Sequence, residues 1–161
     1  MNCPTKPALQ NLFLFISGAV AAPAAMAAAP DDACALLTQA QVSAARGVPV
    51  GAGTYVTPTF KRTCTWSATV SGGGTVTLFL QKGDSFQRGK QMMQMASGGK
   101  PLVVTISGVG DDAYYFGPDN LVALIVKKGS IAFKVAVYAH IPGEQQKAIE
   151  KTLAQQVVSG L

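Results

Sequence analysis

The sequence predicts an α+β domain: an antiparallel sheet of about five to seven strands, three helices packed against it, mainly on one face, and one disulfide. Two-residue alternation carries the strands, most plainly over residues 63–70, 75–81 and 131–138. Glycine-rich connections between neighbouring runs suit hairpins. Only three helix-grade segments interrupt the strand runs, which favours antiparallel pairing over a βαβ repeat.

Taken in order, residues 1–27 read as a cleaved secretory signal. Lys6 supplies the positive charge, residues 12–20 the apolar run, Pro23 its end, and Ala25-Met26-Ala27 the small residues before a cut after Ala27. That run is shorter than the roughly 20 residues a bilayer-spanning helix needs. The remainder, residues 28–161, suits a single domain. Loss of Lys6 from thirteen basic residues, against eight acidic ones, lowers the formal charge from +5 to +4. The basic residues are scattered and interleave with no aromatic stripe, so nucleic acid is not an expected partner. No later run approaches spanning length, and stable membrane insertion is not expected either. Cys3 leaves with the signal. In the oxidising compartment that export implies, the remaining Cys34 and Cys64 are most simply a disulfide.

A first helix is expected over residues 32–46, with Thr38 and Gln41 forming a capping box, Gly47 a left-handed C-cap, and Leu36, Leu37 and Val42 the buried side. Residues 63–70 alternate Cys64, Trp66, Ala68 and Val70 with hydroxyl residues, and residues 75–81 return after a turn at 71–74. Asp84 is expected to cap a second helix reaching Ser97, ended by Gly98-Gly99. Short strands follow at 102–106 and 113–116, then a turn over 117–120. Residues 121–127 and 131–138 form a second hairpin. Pro142 starts a final helix with Ala148, Leu153 and Val157 toward the sheet, and Lys147, Glu150 and Lys151 toward water.

Candidate chemistry is sparse. His140 is the sole histidine, and no Gly-x-Ser-x-Gly elbow occurs, so a histidine-dependent hydrolase has little to build on. Glu144 and Glu150, six positions apart, point about 120° away from each other around one helix and so are not aimed across a shared cleft. Asp111-Asp112 after Gly110 suits a turn, and no EF-hand spacing accompanies it. The glycine-rich segments at 71–74 and 98–99 lack a phosphate-loop context. Met92 and Met95 share a helix face and could, with His140, offer soft donors to Cu(I), although Met93 turns away and core filling explains the cluster as well. No cofactor is expected. Tyr114, Tyr115 and Phe116 beside Asp111-Asp112 are the candidate recognition residues, since amphipathic aromatics at a loop–strand junction suit contact.

Cys34-Ala35-Leu36-Leu37-Thr38 with Val42 and Gly47, Cys64-Thr65-Trp66, and Val109-Gly110-Asp111-Asp112-Ala113-Tyr114 resemble an uncharacterised family of exported bacterial domains whose better-known members are actinobacterial lipoproteins. The resemblance spans most of residues 33–160. It implies a Cys34–Cys64 bridge and an α+β domain similar to the Mog1/PsbP-like sandwich of helices around an antiparallel sheet. A lipid-anchor cysteine is lacking here, and the family supplies no catalytic residues. Together these readings predict a soluble, periplasmic or secreted, non-enzymatic domain that binds an envelope protein, an envelope polymer or a small ligand. The competing expectations are a periplasmic hydrolase using Asp111, Asp112 or His140, and Met-based copper binding.

Overall fold

Thr38 begins the first α-helix as its sequence dictates. Its hydroxyl accepts from Gln41 N, while Gln41 Oε1 accepts from Thr38 N, and Gly47 closes the helix at φ 68°. The computed structural model describes residues 30–97, 102–118 and 121–161; the expected signal, the Gly98-Gly99 stop and part of the 117–120 turn lie outside them. Because Thr38 is an N-cap, the expected helix over 32–46 divides into a short 3-10 turn, Ala33–Ala35, and α1, Gln39–Arg46.

The strands are β1 (Thr54–Thr57), β2 (Phe60–Ser67), β3 (Thr75–Lys82), β4 (Val103–Ile106), β5 (Asp112–Phe116), β6 (Ala123–Lys128) and β7 (Ile131–Tyr138). They form one antiparallel sheet in the order β1-β2-β3-β7-β6-β5-β4. β1 was not expected: it is short, carries one half-buried residue in four, and is broken by a register shift, so its alternation is faint. β2 stops at Ser67 and leaves Val70 43% exposed beyond it.

Two helices complete the domain, α2 (Ser85–Ala96) and α3 (Gly143–Ser159). The chain leaves β3 in mid-sheet and re-enters at the far edge, β4, so α2 must cross β7, β6 and β5. A twelve-residue helix is about 18 Å long, close to the roughly 19 Å of four strand spacings. On the opposite face α3 lies over β6 and β7, α1 packs against α3, and the 3-10 turn lies against β2 and β3, enclosing Trp66, Leu78, Phe133 and Val135. The expectation that helices pack mainly on one face therefore holds for α1 and α3, and α2 makes the sheet a middle layer. Cys34 and Cys64, with Cα atoms 5.0 Å apart, form the disulfide and tie the segment before α1 to β2. Gly53 packs against this bridge: a Cβ there would lie 2.7 Å from Cys64 Sγ and 2.8 Å from Trp66 Nε1.

Three local expectations are corrected. Asp84 precedes α2 with helical backbone (φ −66°, ψ −23°) and makes no capping bond; Ser85 Oγ instead donates to Lys82 O at 2.6 Å. Ala148 is exposed, and Glu150, placed toward water by sequence, is fully buried. The inward stripe of α3 runs through Gln146, Ile149, Glu150, Leu153, Ala154 and Val157, a helical phase that admits a polar pair. No helix among the described residues is long and apolar enough to cross a membrane.

Candidate functional site

β7 is covered on both faces, and Lys134 is its polar exception. Ala132, Phe133, Val135, Ala136 and Val137 are all buried, and Lys134 lies half-buried among them. Its cross-strand partners are Phe79 on β3 and Ile125 on β6. No carboxylate pairs with it among the described residues. Lys134 lines a slot of about 300 Å³ between α2 and the sheet. Phe86, Gly89 and Met93 of α2 form the roof, while Tyr114, Phe116 and Ile125 line the sheet side.

The roof is held at one end. Phe86 meets Tyr114 edge-on, with ring centroids 5.2 Å apart. Lys90 Nζ lies 5.5 Å from the Tyr114 centroid and 3.4 Å from Asp112 Oδ1, and Gln87 Nε2 donates to Asp112 Oδ2 at 3.2 Å. Burial, then the nearby Asp112 charge, pushes the Tyr114 hydroxyl above its usual pKa. Gly89 sits mid-helix, where glycine costs roughly 1 kcal/mol relative to alanine. A Cβ there would find only Tyr114 Oη, at 3.7 Å, so packing does not demand glycine. Its missing side chain leaves open space in the slot.

At the other end, Leu121 and Tyr138 border both the slot and an open depression of about 730 Å³ lined by His140 and Gln146. Behind it, Gln146 Nε2 donates to Val137 O at 2.6 Å, and Glu150 Oε1 accepts from Val137 N at 3.0 Å. Val137 lies one residue beyond the last β6–β7 pair, Ala123 with Ala136, so these side chains replace the missing strand partner. Burial lifts the Glu150 carboxyl to about 8, opposed by the Val137 hydrogen bond and Lys147.

Strand alternation divides the sequence-predicted recognition residues. Tyr114 and Phe116 face α2 and line the slot. Tyr115 points to the other face, 8% exposed, and donates to Lys147 O at 2.7 Å; burial raises its hydroxyl to about 12. Asp112 tethers α2. Asp111 accepts from Gly129 N at 2.6 Å and Lys128 Nζ at 3.2 Å, the backbone bond foremost in holding its carboxyl low. The aspartates and aromatics thus do not form one surface. Met92 and Met95 are 54% and 76% exposed, while Met93 faces the slot. His140 and Met92 border different depressions. Among the described residues no group of three or more His, Cys, Asp or Glu could hold a metal ion.

Sequence reasoning missed Lys134 and Gly89. Residues 131–138 are apolar at most positions of both faces, which signals two-sided burial and makes the one lysine conspicuous. Gly89 interrupts a helix without ending it, the corresponding sign. Ser97 and Lys100 also have a Ser-x-x-Lys spacing; Ser97 Oγ donates to Gln94 O at 2.7 Å, and Lys100 lies outside the described residues. Comparison with protein families finds no match, and comparison with curated proteins finds none.

Proposed function

We propose that this chain is an exported binding domain that holds a small amphipathic anion in the slot beneath α2. The observation that carries this reading is Lys134, an ammonium without a counter-ion among the described residues, set on the most covered strand between Phe79 and Ile125. A half-buried cation in apolar surroundings favours a ligand that brings its own negative charge. The aromatic and thioether walls suit an apolar body, and about 300 Å³ is the small end of the range for ligand sites. An aryl or short alkyl carboxylate has the required shape.

Isothermal titration with matched aryl and alkyl carboxylates and alcohols tests the reading. Carboxylates should bind about tenfold more tightly than their alcohols, the worth of one charge-assisted hydrogen bond. Lys134→Gln should abolish that preference, and Gly89→Leu should block both series by filling the slot. Equal affinity for acids and alcohols, or binding undisturbed by Gly89→Leu, would refute it.

The disulfide supports an oxidising compartment, so we further propose periplasmic or secreted location and membership of the exported family resembled above. N-terminal sequencing of protein recovered from its host should begin at Ala28; a chain starting at Met1 with free thiols argues against export.

A further inference from the structure

A second groove, of about 620 Å³, lies on the other side of α2, between that helix and the β2–β3 strands. Its apolar lining includes Phe60 and Phe79, with ring centroids 6.3 Å apart, and Met92. Phe60 is 45% and Met92 54% exposed, unusual for large apolar side chains sharing one depression. Arg62 of β2, Arg88 of α2 and Lys82 at the end of β3 surround them. None of these cations forms an ion pair among the described residues, and Asp84 is the one acid in the lining. Arg62 Nε donates to Leu80 O at 3.2 Å, which fixes the side chain beside the groove.

We infer that this groove docks an acidic peptide segment of a partner protein, with an apolar side chain inserted between Phe60 and Met92 and carboxylates meeting Arg62 and Arg88. Arginine's planar fork pairs with carboxylate through two parallel hydrogen bonds, and the two guanidinium groups come from different elements lining the groove. Two guanidinium groups presented by separate elements beside exposed apolar side chains suit carboxylates and an apolar residue spaced along one peptide. The groove and the slot meet at Gln81, Ser85 and Gly89, whereas Phe60, Arg62, Arg88 and Met92 line the groove alone and Lys134 the slot alone.

Selection from a random peptide library on the disulfide-bonded protein provides the test, alongside co-sedimentation with phosphatidylglycerol and phosphatidylcholine vesicles. Enriched peptides should carry Asp or Glu flanking an aromatic or aliphatic residue. Their affinity should fall about tenfold for Arg88→Gln, an exposed position, and again for Arg62→Gln, while Lys134→Gln leaves it unchanged. Thermal melting of each variant separates lost docking from lost fold. Enrichment without acidic bias, no enrichment, or equal binding by Arg88→Gln overturns the inference. Capture of the wild type by phosphatidylglycerol vesicles without acidic peptides also overturns it, and assigns the face to membrane.

Discussion

Glu150 shows how one side chain couples fold and pH. Its carboxyl is raised from 4.5 to about 8, chiefly by burial, so the folded state binds a proton that the unfolded chain releases. Its stabilising contribution is present below the unfolded value and is lost as pH rises through the window up to about 8. Chemical denaturation from about pH 5 to about pH 9 should therefore show stability falling by a few kcal/mol. Glu150→Gln stays neutral and can still accept from Val137 N. It should flatten this decline while changing stability little at the acidic end. A decline of equal size in the variant would assign it to other groups. Asp111 acts in the opposite sense at lower pH: its depressed carboxyl contributes above its unfolded value and loses that contribution as acid protonates it.

Among the elements, α2 is the most lightly attached. Phe86 is its single fully buried residue, whereas α3 buries Gln146, Ile149, Glu150, Leu153, Ala154 and Val157. Asp112, held by Gln87 and Lys90, fastens α2 to β5. Asp112→Ala should lower global stability by only about 0.5–1 kcal/mol, as for partly exposed ion pairs. Amide exchange should nevertheless quicken within α2 and stay unchanged in α3, because local opening follows local contacts. Uniform acceleration in both helices would show that α2 opens only with the whole domain. β1 depends on a similar anchor, Tyr55 Oη donating to both Asp32 carboxylate oxygens at 2.8 and 2.9 Å. Its short edge strand is thereby tied to the segment that carries Cys34.

For the whole molecule, the Cys34–Cys64 bridge closes a loop of 30 residues that contains α1 and β1. The loop-entropy account assigns about 3–4 kcal/mol to such a closure. Replacing both cysteines by serine should lower stability by that amount, and reductant should match the substitution in the wild-type protein. A smaller loss common to both treatments would mean that the Trp66 and Leu78 core already holds the two segments together. The slot and the basic groove flank α2, so the course of this one crossover helix shapes both surfaces proposed for binding.

Six of the seven strands, the hairpin turns, the α1 cap and the cysteine pairing were legible in the sequence because each follows from a short-range rule: alternation at period two, reciprocal capping over three residues, or an even cysteine count. The candidate site was only half legible. Tyr114 and Phe116 were found by composition, but Tyr115 was grouped with them although strand alternation sends it to the other face. Lys134, Gly89 and the buried Glu150 acquire meaning only from what lies across from them. Short-range chemistry determined the elements of this protein. Tertiary structure alone decided which faces became cores, which became grooves and which charges were desolvated, because α2 reaches the β4 edge only by lying over strands remote from it in the chain.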